Sequence, residues 1–547
     1  MNATESMLSI RNLSIDYKNG CEWVKAVKGV SMHIAAGEVV GLVGESGSGK
    51  SSVAQAILGL MDGKSTVLKG DIRFCGEPVL NYDNNRWCEI RGRKIGMVFQ
   101  SPMSSFNPAS TIGEQMIEAI CWHGKFDESA AYQLAVQALQ EVGMPRPEEI
   151  MRHYAFELSG GMCQRAALAL AIVLEPELVV ADEPTASLDV VAQAELIKWL
   201  KKLQAARGFA MLIISHDFNL ISRLTDRTFV MFRGDLVETG ETKNLLSNPQ
   251  YEYTARLIDA VPKLSAVIGK KCLAQSEGER SETNAKFLKI DEVSRCYRNL
   301  GKLWGGQRYS IPAVQKVSLE VVQGETLGLV GESGSGKSTL ARMIAGLEKP
   351  DQGNVFLNGV EISGKRTLAK HWRRKVQMVF QNPYDALDPM QRIGRAIIEP
   401  LDNFEPLERS VERDRVSEVL QEVGLPSRVM DAYPHQLSGG ERQRVCIARS
   451  LIVKPELLIC DEAVSALDKS IQSQVLSLLK RLKERHGLSM LFISHDLAAV
   501  NGICDRIAVM KNGEVVEVGD REQMLGNPQH PYTRTLIAAN RCLEGVC

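Results

Sequence analysis

The sequence predicts an α/β protein in which one domain is written twice. Three observations carry that reading. The octapeptide GESGSGKS stands at Gly44–Ser51 and again at Gly331–Ser338. An apolar run closed by Asp-Glu occurs in each half, VVADE ending at Glu183 and LICDE ending at Glu462. Paired landmarks also keep step: Ser159 and Ser438, Asp182 and Asp461, and His216 and His495 are each 279 positions apart. Ordered motifs at matched spacing mark an internal duplication. With 547 residues the chain also exceeds what one hydrophobic core encloses. The polar, charged stretch LAQSEGERSETNAK separates the copies, so we expect domains at 1–262 and 287–547 joined by a linker at 263–286.

Each element can be justified in turn. EVVGLVGESGSGKSSVAQAIL reads as a buried strand, a glycine-rich turn and a helix beginning near Lys50. Gly44, Glu45, Ser46, Gly47, Ser48 and Gly49 turn their N–H groups to a phosphate, and the helix N-terminus adds its positive dipole end. In this pattern Lys50 reaches the outer phosphates and Ser51 ligates Mg2+, with Ser52 following in the first turn. Gly331, Glu332, Ser333, Gly334, Ser335, Gly336, Lys337, Ser338 and Thr339 repeat the arrangement.

Buried strands do not end in two acids unless something positive meets them there. Asp182 and Asp461 suit the Mg2+ shell, and Glu183 and Glu462 are placed to polarise an attacking water. LSGG opens an apolar helix in each half. Ser159 and Ser438 serve as N-caps, and Gly160, Gly161, Gly439 and Gly440 leave backbone N–H groups uncovered. Each half therefore carries one complete anion cradle and one incomplete one.

The composition sets limits. Apolar residues form 44% and charged residues 24% of the chain, and the formal net charge of -1 provides no global attraction for nucleic acid. No apolar run reaches the ~18–20 residues that span a bilayer, and MNATESMLSI has no secretory pattern. Twelve cysteines never form a C-x-x-C pair, which argues against a zinc site or a disulfide framework.

The ordered set of glycine loop, strand-end Gln100 and Gln381, LSGG, apolar-DE, SLD or SALD, and strand-end histidine resembles the ATP-binding-cassette ATPases, twice over. The resemblance implies two tandem P-loop ABC nucleotide-binding domains. Each would have a RecA-like α/β core, an antiparallel β subdomain and an α-helical subdomain. It implies that ATP is sandwiched head to tail. Lys50, Glu183 and His216 would face Ser438–Gly440, and Lys337, Glu462 and His495 would face Ser159–Gly161. It further implies that Gln100 and Gln381 sense Mg2+ and water, that His216 and His495 contact the γ-phosphate, and that Asp189 and Asp468 couple the sites. Tyr17 and Tyr297 would stack on adenine. Both halves keep every required group, so two active sites are expected. The departures are mild, such as Ala463 where the first half has Pro184.

Two further pairs of stretches look like the peptide/nickel importer ATPases, close to dipeptide, oligopeptide and glutathione systems. They are SPMSSFNPASTIGEQ with NPYDALDPMQRIGRA, and NPQYEYTARLIDAVP with NPQHPYTRTLIAAN. That resemblance implies two transmembrane permease subunits, an extracytoplasmic solute-binding protein and a place on the cytoplasmic face of the cell membrane. The cysteine cluster many members carry after PYT is absent, so no iron–sulfur centre is expected. Cys163 is expected to be a small helix residue. The alternative, an ABC-F-type ribosome-associated ATPase, would need a long charged helical linker, which 263–286 does not resemble.

Overall fold

The computed structural model describes residues 6–19, 22–63, 65–124, 126–185, 188–259, 286–298, 310–362, 369–405, 408–465 and 467–543. The expected linker 263–286 lies outside them except for Lys286. The chain divides into two compact units, Met1–Val261 and Pro262–Val546.

In the first unit β1 (Ser6–Asn19), β2 (Glu22–Ala35), β4 (Thr66–Phe74) and β5 (Glu77–Pro78) form an antiparallel sheet ordered β2-β1-β4-β5. Between them in sequence, β3 (Val39–Val43) joins a second sheet with β6 (Ile95–Val98), β7 (Leu178–Asp182), β8 (Ala210–Ser215), β9 (Arg227–Phe232) and β10 (Asp235–Glu241), ordered β10-β9-β3-β8-β7-β6. All neighbours in this sheet pair in parallel except β9 with β10.

The residue patterns explain the two kinds of sheet. Every residue of β3, β7 and β8 is buried, as strands covered on both faces must be. From Val30 to Ile34, β2 alternates buried and exposed positions, so only one of its faces meets the core. That face supplies Val30, Met32 and Ile34, and β1 adds Leu8, Ile10, Leu13 and Ile15. They share a single core with Val40, Leu42 and the helix Lys50–Ile57.

The second unit repeats this. β11 (Lys286–Arg298), β12 (Ser310–Val322), β14 (Gln352–Leu357) and β15 (Val360–Glu361) form the antiparallel sheet. β13 (Thr326–Val330), β16 (Val376–Val379), β17 (Leu457–Asp461), β18 (Ser489–Ile493), β19 (Arg506–Lys511) and β20 (Glu514–Asp520) form the other, ordered β16-β17-β18-β13-β19-β20. A helical layer completes each unit. Helix Gly160–Ile172 packs on Pro102–Ser105, Ile112–His123 and Glu128–Glu141 as well as on β6, and Gly439–Leu451 has the matching neighbours. No described helix is long and apolar enough to cross a membrane.

Parallel pairing decides where chemistry can occur. Val43 aligns with Ser215, Ile214 with Asp182, and Ala181 with Val98, so the C-terminal ends of β3, β8, β7 and β6 share one edge. Each strand hands its next residues to the same crevice.

Close packing behind that edge uses a glycine in both copies. A methyl at Gly41 would lie 3.0 and 3.1 Å from two carbons of Ile221 and 3.2 Å from Thr225 Cγ2, and one at Gly328 would lie 2.9 Å from Cys504 Sγ. Gly41→Val should therefore overpack β3 against helix Phe218–Leu224. The expected cost is about 1–3 kcal/mol, read as a lower calorimetric midpoint for the first unit, with Gly41→Ala losing less.

Candidate functional site

The loop after β3 closes around Lys50. Its ammonium donates to the carbonyls of Gly44 and Glu45, each at 2.8 Å, and lies 3.4 Å from Ser48 Oγ. Lys337 donates to Gly331 and Glu332 at 2.8 and 2.7 Å. Only 6% and 4% of these lysines remain exposed, so each charge relies on carbonyl dipoles in place of water. Glycine is needed at two positions. A Cβ on Gly44 would stand 2.2 Å from the Met231 carbonyl oxygen, and Gly49 holds φ +102°. Gly49 places no side chain over the first N–H groups of helix Lys50–Ile57, nor does Gly336 over those of Lys337–Ile344. That is an anion-binding helix start.

The acids follow at the end of β7. Asp182 is buried, and its carboxyl is pushed up chiefly by burial, against the Ser51 hydroxyl that bonds to it. Its second oxygen, Oδ1, has no hydrogen-bond partner. Asp461 is raised for the same reason and accepts from Ser338 Oγ at 3.0 Å. A hydroxyl beside a desolvated carboxylate oxygen is a donor set that a hard cation such as Mg2+ fits.

The next residue turns sharply. Glu183 and Glu462 sit at φ +49° and +47°, left-handed conformations that are costly outside glycine. The turn binds the Glu183 N–H to the Ile214 carbonyl at 2.9 Å and aims the carboxylate past the end of β8. There Oε1 accepts from the His216 backbone N–H at 3.0 Å and from its ring Nδ1 at 2.8 Å. A carboxylate only accepts, so Nδ1 carries a proton, and in the neutral ring Nε2 is then the acceptor. In the second half His495 Nδ1 is 3.4 Å from Glu462 Oε1, and Gln381 donates to Oε2 at 2.9 Å. Burial raises Glu462, but the bond and charge of His495, with Lys337, outweigh it and hold the carboxyl below its ordinary value. Gln100 is exposed beyond β6 and makes no matching bond to Glu183.

The remaining expected residues fall elsewhere. Ser159 Oγ accepts from the Met162 N–H at 3.3 Å, with Gly160 exposed and Gly161 near Leu188 and Ala192. Ser438 forms a full capping box with Glu441, and Gly440 presses on Ile471. Asp189 caps helix Val190–Arg207 through the Ala192 N–H, and Asp468 stands at the same place before Lys469–His486. Tyr17 donates to Ser52 Oγ at 3.1 Å, so its ring stands beside the loop helix. Tyr297 donates to Glu348 at 2.6 Å and to Thr339 at 3.5 Å, with the Arg295 guanidinium 5.5 Å over its ring.

The structure adds residues that the motifs did not single out. The hydroxyl of Tyr253 accepts the Glu45 N–H at 3.2 Å, and that of Tyr532 accepts the Glu332 N–H at 3.0 Å. Their common separation of 279 was the available signal. Asp496, next to His495, caps helix Leu497–Ile503 and accepts from Lys469 Nζ at 2.9 Å and Gln472 at 3.0 Å. The first half has Val190 in place of Lys469.

Burial raises the Asp496 carboxyl, yet Lys469, with Gln472 and His495, holds it well below its ordinary value of 3.8. A carboxyl depressed by folding adds stability above its unfolded pKa, and that stability is lost as pH falls toward the folded one. Lys469→Met should cost about 3 kcal/mol at neutral pH, the low end for a broken buried pair, since the two side chains keep 22% and 17% exposure. The gap between variant and native protein in thermal melts should narrow as the pH drops below 3.8.

Comparison with known proteins adds the family. The model "ABC transporter" matches residues 27–186 and 314–465, and "Oligopeptide/dipeptide transporter, C-terminal region" matches 237–287 and 516–543. The chain is 38% identical to the glutathione import ATP-binding protein GsiA of Escherichia coli (strain K12), over 98% of its own length and 89% of the relative's. It is also 38% identical to GsiA of Salmonella typhimurium, over 98% and 90%. A solved structure of MJ0796, a bacterial ABC transporter cassette, is 29% identical, covering 43% of this chain and 98% of that one at a TM-score of 0.39. With one family model matched twice across more than half the chain, and relatives aligned along nearly all of it, the chain belongs to the ABC transporter family and is an ATP-binding ATPase.

Proposed function

We propose that the chain energises a membrane importer for peptide-like solutes, a tripeptide of the glutathione class among them, by hydrolysing ATP at two sites. One observation carries the chemistry. In each half, one sheet edge gathers a carbonyl-held buried lysine, a serine bonded to a buried aspartate, and a glutamate paired with a histidine. Support for the cargo comes from the GsiA relatives and from the oligopeptide/dipeptide region matched in both halves. Both count against a ribosome-associated role.

In this reading Gly44–Ser52 and Gly331–Thr339 wrap the ATP phosphates, and Lys50 and Lys337 neutralise their charge. Ser51 with Asp182, and Ser338 with Asp461, would hold Mg2+, which when bound offsets phosphate charge as the terminal bond breaks. Glu183 and Glu462 orient the attacking water and take its proton. His216 and His495 hold those carboxylates by Nδ1 and present Nε2 to the phosphate. Gln100 and Gln381 complete the water's surroundings, and Tyr17 and Tyr297 carry the adenine.

Each signature, Ser159–Gly161 or Ser438–Gly440, offers uncovered N–H groups without a lysine of its own. We assign it to the ATP held by the opposite half, with Asp189 and Asp468 coupling the two events. Domains 1–262 and 287–547, joined by 263–286, would then act as one pair. Fusion keeps the partner at high effective concentration. Two permease subunits and a solute-binding protein would complete the importer, with this chain on the cytoplasmic face of the cell membrane.

Glu183→Gln with Glu462→Gln should retain ATP binding while steady-state hydrolysis falls by about 10²–10⁴, the usual loss of a general base. Undiminished turnover in a phosphate-release assay would remove both glutamates from the mechanism. Coexpression with the permeases and binding protein, followed by glutathione and dipeptide uptake into vesicles, tests the cargo.

A further inference from the structure

We propose that Tyr253 and Tyr532 are positioning residues for ATP hydrolysis. Each hydroxyl would fix the first peptide plane of the phosphate loop and, with it, the carbonyl that sets the loop lysine. This rests on the reading that the loop binds ATP.

The plane in question joins Gly44 to Glu45. Its carbonyl accepts from the Lys50 ammonium at 2.8 Å, and its N–H donates to Tyr253 Oη at 3.2 Å. The second half repeats both contacts on the Gly331–Glu332 plane, with Lys337 at 2.8 Å and Tyr532 at 3.0 Å. One amide is thus gripped from opposite sides. A phosphate that draws the ammonium away from this carbonyl leaves the tyrosine tie in place, so the loop keeps its shape while its lysine changes partners.

The support beneath the hydroxyl is also built. Tyr253 lies in helix Glu252–Asp259 and Tyr532 in helix Pro531–Leu543, both within the segments matched by the oligopeptide/dipeptide C-terminal model. Glu238 anchors the chain ahead of the first helix by accepting the N–H groups of Gln250 and Tyr251 at 2.8 and 3.2 Å. Glu517 does so for Gln529 and His530 at 2.7 and 3.0 Å.

The two rings, by contrast, rest on different neighbours at equivalent positions. Phe232 packs 4.1 Å from the Tyr253 ring, whereas the Lys511 ammonium stands 4.5 Å over Tyr532. The packing changed between the copies while the hydroxyl's bond to the loop stayed. That pattern points to the bond, rather than to the ring's burial, as the shared purpose.

The test uses the full chain with Tyr253→Phe and Tyr532→Phe together, which keeps both rings. The KM for ATP, and the dissociation constant for methylanthraniloyl-ATP, should rise about three- to tenfold, the worth of one neutral hydrogen bond. The turnover number should change less than KM. The Glu45 and Glu332 amides should exchange faster with deuterium. An unaltered KM in a folded double variant overturns the proposal, and so does a lowered thermal midpoint with KM unchanged. Lys50→Ala with Lys337→Ala serves as the reference. If that pair still hydrolyses ATP like the native chain, the loop's assignment falls and the strut with it. If the lysine pair is inactive and the tyrosine pair is native-like, the strut alone falls.

Discussion

Everything in each unit depends on a row of parallel strands that end on the same edge. Parallel strands need crossovers, and those crossovers return every chain to the same side of the sheet. The ends of β3, β6, β7 and β8 therefore discharge the phosphate loop, the glutamine, the two acids and the histidine into one crevice, although Val43 and Ser215 stand far apart in sequence. None of these side chains needs a long reach, because the register has already placed them.

That crevice is electrostatically expensive. A lysine with 6% exposure and two acids at 5% and 8% sit at the end of fully buried strands. The structure meets the cost with hydrogen bonds from the loop itself, from the helix that follows it and from the residue after β8. Carbonyls of the loop surround Lys50, the Ser51 hydroxyl binds Asp182, and His216 binds Glu183. Asp182 and Asp461 remain raised by burial, whereas Glu462, facing His495 and Lys337, is drawn down. In the second half the two adjacent acids at the end of β17 are thereby given different characters.

Duplication has preserved this core and let its supports drift. Ser438 gained a capping box where Ser159 has a single bond, because Glu441 replaces Met162. Lys469 and Asp496 form a half-buried pair where the first half has Val190. Gln381 reaches its glutamate and Gln100 does not. The tyrosines of the C-terminal helices keep their bond to the loop on different ring supports. The groups proposed to meet phosphate are the constant part, as expected when phosphoryl transfer depends on positioning and charge.

Much of this was legible in the letters alone. Glycines at Gly44 and Gly49, a lysine opening a helix, apolar runs ending in acids and serines ahead of paired glycines are local signals, because each follows from the steric or hydrogen-bonding needs of a few consecutive residues. They determined the two-copy α/β plan, the loop, the acids and the signature helices. What only the tertiary structure decided comes from residues distant in sequence that meet through the sheet. The left-handed turn at Glu183 and Glu462, the tautomer of His216, the Gln381 contact and the Tyr253 tie arise from register and packing, and packing between remote segments leaves no local pattern in a single chain to read.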